Sequence, residues 1–293
     1  MMGHFPISNR PHSRGPLVAR DNALRPWLRN DSEYNPFKIF SPSVRLSAYI
    51  NRYIIIDCED SRVNRILPDT AIVMSFRLKG IVLSLDNEIT DTLPRLAISG
   101  IRKSDRLINY QKGSSNLLVV FSPMSASAFV TGPLNELFEI TAPLDALKGF
   151  RNASELEDKL DNANDNNSVI ELVEDFLLSR FRLPKADALI AKAINKISHA
   201  HGNIRIKNLA EDLCISQDPL EKRFRRITGV SPKQFAHISR MKMVINDIRS
   251  SKYQDLSETV FNAGYFDLPH FHKDFKNFTG QTPGQFFEAS VYW

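Results

Sequence analysis

Between Phe37 and Phe121 the apolar residues come in short runs: Tyr53-Ile-Ile-Ile56, Ala71-Ile-Val-Met-Ser-Phe76, Ile81-Val-Leu-Ser-Leu85 and Asn116-Leu-Leu-Val-Val-Phe121. Each is too short for a helix and rich in β-branched or bulky side chains. Turn formers stand between them: Pro68-Asp69, Gly80, Asp86-Asn87, Gly100 and Lys112-Gly-Ser-Ser115. Strands at this spacing predict a small sandwich or barrel. After Pro123 the period lengthens. Val169, Leu172, Val173, Phe176 and Leu177 share one helical face over residues 168–181, packed either on the strands or against a second subunit. Asp161–Asn167 is a polar loop, and residues 181–186, with Pro184, read as a hinge into a second unit.

Beyond the hinge the chain repeats itself at an offset of 51. Thr228-Gly-Val-Ser-Pro-Lys-Gln-Phe235 matches Thr279-Gly-Gln-Thr-Pro-Gly-Gln-Phe286. Leu220, Lys222, Phe224 and Ile227 align with Phe271, Lys273, Phe275 and Phe278. Shared spacing over this length implies two copies of one supersecondary unit. Each copy reads as helix, tight turn, helix. In the first, Ile206–Leu213 is the leading helix, Cys214-Ile215 the turn, and Ser216 the predicted N-cap through its hydroxyl. In the second, Leu256–Ala263 leads, Gly264 opens the turn and Asp267 is the N-cap. Leu220, Phe224 and Ile227 recur at i, i+4, i+7 and face inward, as do Phe271, Phe275 and Phe278. The opposite faces carry Glu221, Lys222, Arg225 and Arg226, then His272, Lys273 and Lys276. An exposed basic helix after a tight turn is the part of a helix-turn-helix that enters the major groove. Phe235, Ile238, Met241, Ile245 and Ile248 give residues 231–250 a helical period. At 1.5 Å per residue this is a rod near 30 Å. The groove returns to one face of DNA about every 34 Å, so the rod can hold two readers in successive grooves.

Charge agrees with this. The net +5 lies wholly in residues 185–293, which carry 16 Lys+Arg against 11 Asp+Glu, whereas residues 1–184 balance at 22 of each. That is the distribution to look for in a DNA binder. The two cysteines, Cys58 and Cys214, form no Cys-x-x-Cys pair and read as core residues, which argues against a zinc module or disulfide framework. No apolar run is long enough for a membrane span. Residues 1–36, rich in Arg, Pro, Asn and Ser, read as a disordered leader.

The C-terminal residues resemble the AraC/XylS family of transcription regulators. The motifs are Leu209-Ala210, Ser216-x-x-x-Leu220-x-Lys222-x-Phe224, Gly229-x-Ser231-Pro232, Gly264-Tyr265, His270-Phe271, Phe275-Lys276 and the closing Thr279-Gly-x-Thr-Pro-x-x-Phe286. The resemblance implies DNA contacts at Gln217, Asp218, Glu221, Lys222 and Arg225 in the first unit, to which the turn and the exposed face add Ser216 and Arg226. In the second it implies Pro269, His270, His272, Lys273 and Lys276, to which the helix start adds Leu268. Many members have Arg where this chain has Lys222 and Lys273; lysine lacks the planar fork that pairs guanine bidentately. Leu268-Pro269 replaces residues that are often polar, which favours backbone or thymine-methyl contact there. The N-terminal region is similar to a sensor-type domain found ahead of this unit, through Phe40-Ser-Pro-Ser-x-x-Leu-x-x-Tyr49-Ile, Arg65-Ile-Leu-Pro-Asp69, Gly80, and Leu118-Val-Val-Phe-Ser-Pro123 followed by Ala126 and Leu134.

The expected fold is therefore α+β. The sensor-domain resemblance implies a cupin-like β-barrel with helices over 37–182. An all-α domain spans 187–290, with helix-turn-helix units at about 206–228 and 255–279 on a long linking helix. The expected function is sequence-specific DNA binding in transcription regulation, controlled through the N-terminal domain, in a bacterial cytoplasm and at the nucleoid. Implied partners are double-stranded promoter DNA, RNA polymerase, a second copy of the chain and an unknown small-molecule effector, with no membrane and no cofactor. Two enzyme readings compete. A cupin-like metal enzyme needs clustered histidines, and none lies between His12 and His199. An alkylation-repair protein needs a reactive cysteine, and neither Cys58 nor Cys214 has the setting for one.

Overall fold

The computed structural model describes residues 36–86, 89–183, 187–249 and 256–288. The leader, the hinge at Pro184 and the start of the second unit at residue 255 lie outside them. Among the described residues the N-terminal part holds ten strands: β1 Phe37–Phe40, β2 Ile50–Asp57, β3 Arg62–Ile66, β4 Val73–Lys79, β5 Val82–Asp86, β6 Ile89–Thr92, β7 Leu96–Ser99, β8 Arg106–Tyr110, β9 Ser115–Phe121 and β10 Thr141–Pro143. They form an antiparallel six-stranded sheet in the order β1-β2-β9-β4-β7-β10 and a four-stranded sheet in the order β3-β8-β5-β6. The sheets do not close on each other, which corrects the expected barrel to a pair of open sheets.

The larger sheet is a middle layer. Ile54 and Ile56 of β2 and Leu118 of β9 pack with Val82, Ile108 and Tyr110 of the smaller sheet. Tyr53, Ile55, Leu117 and Val119 point the other way, into the main core. A strand covered on both faces must be apolar at successive positions, which is why Tyr53-Ile-Ile-Ile56 is unbroken. On the far side lie α1 Ser154–Asp161 and α2 Asn166–Leu178. Val169, Val173, Phe176 and Leu177 of α2 join that core, so the face predicted over 168–181 packs on the strands. Asp165 caps α2 by accepting from Ser168 N at 2.9 Å. The buried Glu174 carboxylate then fixes α2 in place, accepting from Ser43 N at 2.8 Å and Tyr53 Oη at 3.0 Å. Burial, with the Glu174 charge beside it, pushes the Tyr53 pKa far up, so the phenol stays a donor.

Seven helices follow among the described residues: α3 Ala188–His199, α4 Ile206–Asp212, α5 Gln217–Thr228, α6 Pro232–Arg249, α7 Leu256–Asn262, α8 Leu268–Thr279 and α9 Pro283–Glu288. The predicted linking rod is α6, of 18 residues. Phe235, Ile238, Met241, Ile245 and Ile248 are all buried, as the period requires. The apolar interior runs on from the N-terminal part into the helices. Leu134 and Leu137, in the 3₁₀ turn Leu134–Leu137, belong to the same buried cluster as Phe224 and Val230.

Candidate nucleic-acid interface

Two helix pairs, α4–α5 and α7–α8, are built on one plan. Leu220 and Phe224 in α5, and Phe271, Phe275 and Phe278 in α8, are fully buried. Burial of such a stripe, about 1.5–3 kcal/mol per large apolar side chain, fixes which face each helix turns outward. The structure also gives the repeated octapeptide its physical reason. Gly229 and Gly280 end α5 and α8 in the left-handed region, at φ 96° and 72°. Thr228 Oγ1 donates back to Phe224 O at 2.9 Å, and Thr279 Oγ1 to Phe275 O at 2.8 Å. Each hydroxyl also accepts, from Val230 N at 3.3 Å and Gln281 N at 3.2 Å. Then Ser231 and Gln234 exchange bonds as a capping box for α6: Gln234 N donates to Ser231 Oγ at 3.1 Å and Ser231 N to Gln234 Oε1 at 3.0 Å. Thr282 and Gln285 do the same for α9 at 3.3 and 3.0 Å. One helix is stopped and the next started by the same set of bonding groups, twice.

The two turns differ. In the first, Cys214 N bonds Glu211 O and Ile215 N bonds Ala210 O; in the second, Gly264 N bonds Phe261 O and Tyr265 N bonds Val260 O. Cys214 and Gly264 are therefore equivalent, and both have positive φ, 52° and 82°. Cys214 is exposed in this turn, which corrects its expected core placement; Cys58 is buried as expected. The second turn carries one extra residue, Phe266, which is 90% exposed. The N-caps also differ. Asp267 accepts from His270 N at 2.7 Å. Ser216 holds the N-cap position without a side-chain bond, which corrects the predicted cap. Its natural donor is the third helical residue, and that is Pro219, which has no N–H.

The helices bring the expected DNA-contacting residues into two groups. Ser216, Gln217, Asp218, Glu221, Lys222, Arg225 and Arg226 are all exposed at or along α5. Arg225 is held by Glu221, with Nη2 2.9 Å from Oε1. Along α8, Pro269, His270, His272, Lys273 and Lys276 are exposed, whereas Leu268 is half-buried and packs against the core. Arg223 points elsewhere: it pairs with Asp187 at 2.9 Å, and Asp187 also caps α3 by accepting from Ile190 N. Among the described residues no cluster of His, Cys, Asp and Glu is placed to hold a metal ion.

A cluster that sequence pattern does not announce sets the seat of α8 on α6. Asp274 of α8 accepts from Tyr265 Oη at 2.5 Å and is bonded to His237 Nε2 of α6 at 2.9 Å. The Arg240 guanidinium lies over the Tyr265 ring, 4.9 Å from its centre, and the His237 ring meets Phe278 edge-on. Burial works to raise the Asp274 pKa, but bonds to His237 and Tyr265 and the charges of His237 and Arg240 outweigh it and hold it below the usual range. Its only sequence signal is a carboxylate one position before the buried Phe275.

Comparison with known proteins matches two separate stretches of the chain. A helix-turn-helix domain family matches residues 209–289, and a domain of unknown function (DUF6597) matches residues 38–143. The Msm operon regulatory protein of Streptococcus mutans is 29% identical over 118 residues, which are 39% of this chain and 42% of that protein. The arabinose operon regulatory protein of Escherichia coli is 28% identical over 129 residues, 40% and 43% of the two chains. The chain thus matches about two fifths of the length of these curated relatives. Among solved structures, ToxT from Vibrio cholerae superposes with a TM-score of 0.43 at 12% identity, over 80% of this chain and 95% of that one. The AraC-like transcriptional activator CuxR superposes with a TM-score of 0.22 at 11% identity, over 78% and 92%.

Proposed function

We propose that this chain, whose C-terminal part is an AraC-type helix-turn-helix domain, is a sequence-specific DNA-binding regulator of transcription that places α5 and α8 in successive major grooves. One observation carries the reading. The two units expose basic helices at repeat-equivalent positions, Lys222 with Lys273, on either side of one 18-residue helix. At 1.5 Å per residue α6 is about 27 Å long, within reach of the roughly 34 Å return of the groove.

The roles of individual residues follow from their setting. Lys222 and Arg226 present their charge to phosphates or base edges, while the Glu221–Arg225 pair offers an acceptor and a donor in one fixed unit. In the second unit Lys273 and Lys276 serve the backbone, and Pro269, His270 and His272 lie where base edges would pass. Residues 187–290 make up the DNA-binding domain and 37–182 the sensor or dimerisation domain. The latter has a cleft of about 490 Å³ at the strand ends, lined by Lys38, Cys58, Lys79, Ser114, Leu160 and Val169. That volume suits a small-molecule effector. RNA polymerase at the promoter and a second copy of the chain are the proposed protein partners, and the place of action is the bacterial nucleoid.

A salt titration of DNA binding tests the reading. On B-DNA the slope of log affinity against log salt changes by about 0.9 for each phosphate that is no longer neutralised. Lys222→Ala and Lys273→Ala should each weaken binding and flatten that slope. Binding that is unchanged and insensitive to salt in both variants would refute the assigned contacts.

A further inference from the structure

Among the described residues the N-terminal part meets the DNA-binding part at three notable places, and two of them are the same place in the repeat. The 3₁₀ turn Leu134–Leu137 packs along α5. It brings the Leu134 carbonyl so close that a Cβ added at Gly229 would lie 3.3 Å from its oxygen. In the second unit Arg65 Nη1, at the end of β3, donates to Thr279 O at 3.4 Å. Arg65 is itself paired with Asp105, and both side chains stand where a Cβ at Gly280 would project. Thr228-Gly229 and Thr279-Gly280 are the equivalent turns that end the two recognition helices. The third meeting point is on the rod between them: Lys242 of α6 donates to both carboxylate oxygens of Asp69 at 2.9 Å. Arg65 and Asp69 are the two ends of the Arg65-Ile-Leu-Pro-Asp69 segment.

We propose that the β-rich part is a brace that sets the spacing between the two recognition helices, gripping the capping turn of each and bolted to α6 by Asp69 and Lys242. Arg65, Asp69, Asp105 and Lys242 are thereby specificity-determining residues, for the distance between half-sites and not for base identity. The inference rests on the two-groove reading above. The sign is set by geometry. The grip is on the C-terminal end of each helix, and Lys222, Arg226, Lys273 and Lys276 remain exposed while it is made. The docked form is therefore the reading form. Undocking leaves each helix-turn-helix intact and loosens only their separation. Apolar packing around Leu134, Leu137 and Val230 supplies adhesion. The polar contacts supply register, because the planar Arg65 guanidinium meets the Asp105 carboxylate and the Thr279 carbonyl together only in a narrow range of positions, while the Asp69–Lys242 pair holds α6 alongside. Asp69 fits that part. Burial works to raise its pKa, but the charge and bonds of Lys242, with Arg52 nearby, hold it below the usual range, so it keeps its charge at neutral pH.

The test uses the full chain and duplexes selected from a random pool by the wild type. Duplexes with one or two base pairs added or removed between the two protected segments are then compared by fluorescence anisotropy. The wild type should bind about tenfold more weakly at a one-base-pair change, the order of effect of one mismatched pair. Asp69→Ala and Lys242→Ala should each bind the parent duplex about tenfold more weakly and respond less to spacing, and the double variant should be no worse than either single one. Arg65→Gln should flatten the same profile, which keeps the test open if Asp69→Ala does not fold by circular dichroism. A wild-type spacing profile in the folded variants would overturn the proposal. So would tighter binding at every spacing, which would mean that the docked domain masks the DNA face. A wild type that selects no sequence from the pool would instead defeat the DNA-reading proposal beneath it.

Discussion

Removing the Asp274 carboxylate should unseat α8 from α6 without touching any DNA-facing side chain. In Asp274→Ala the Tyr265 hydroxyl is left with only the weak thioether acceptor Met241 Sδ at 3.1 Å, and the half-buried His237 ring loses its carboxylate partner. A hydrogen bond to a charged group contributes about 1.5–3 kcal/mol, and an orphaned buried donor costs about 1–3 kcal/mol. The Asp274 side chain is 24% exposed, so water recovers part of this. The net expectation is roughly 2–4 kcal/mol against the helical part. Tyr265→Phe, which removes one donor and leaves the carboxylate bonded to His237, should cost about 1 kcal/mol, and the two changes should be strongly non-additive. Linkage fixes the pH dependence. The folded Asp274 pKa is held below its unfolded value. Its contribution is therefore complete above the ordinary aspartate pKa of about 3.9 and fades as pH falls through the folded value. Urea unfolding followed by far-ultraviolet circular dichroism should show Asp274→Asn destabilised at about pH 5, with the gap closing in more acid solution. A deficit below about 1 kcal/mol for Asp274→Ala at pH 7, or a gap that persists undiminished in acid, would refute this account of the cluster.

Two further outcomes follow from the difference between the turns. Asp267→Ala should cost about 1 kcal/mol in thermal unfolding because it removes a working N-cap, whereas Ser216→Ala should cost a few tenths at most, since its hydroxyl makes no capping bond. Equal effects would mean that Ser216 caps α5 after all. Phe266→Ser should change stability by no more than about 0.5 kcal/mol, as expected for an exposed side chain; a larger destabilisation in the same melt would show that Phe266 packs in solution.

The helical half was legible because its information is local. The inward stripes involve residues within one or two turns, and repetition doubled the signal; the glycine stops and the Ser231–Gln234 and Thr282–Gln285 boxes showed in the sequence only as a repeated octapeptide. In the β-rich half, β2, β4 and β9 of the middle layer stood out as apolar runs, as did β5 of the outer sheet, whereas β3, β6, β7, β8 and β10 did not. β3 shows why. Asn64 is buried while its neighbour Val63 is 44% exposed, the reverse of the polarity rule that pattern reading depends on. Strand spacing left sandwich and barrel open, and closure was expected from the family resemblance; closure depends on which edges pair, and spacing carries no information about that. The bonds of Arg65 with Thr279 and of Asp69 with Lys242 join residues more than 170 positions apart, and the Asp274 cluster joins positions 237, 265 and 274 through helix packing. No local period can announce such groupings.

The central claim is that one chain reads two successive grooves from one face of the duplex. Hydroxyl-radical footprinting of the full chain on a selected duplex tests it most directly. The account predicts two protected segments centred about 10 base pairs apart on the same face, with Lys273→Ala fading one segment and Lys222→Ala the other. A single protected segment, dimmed by Lys222→Ala and indifferent to Lys273→Ala, would contradict it and make the second unit a structural support.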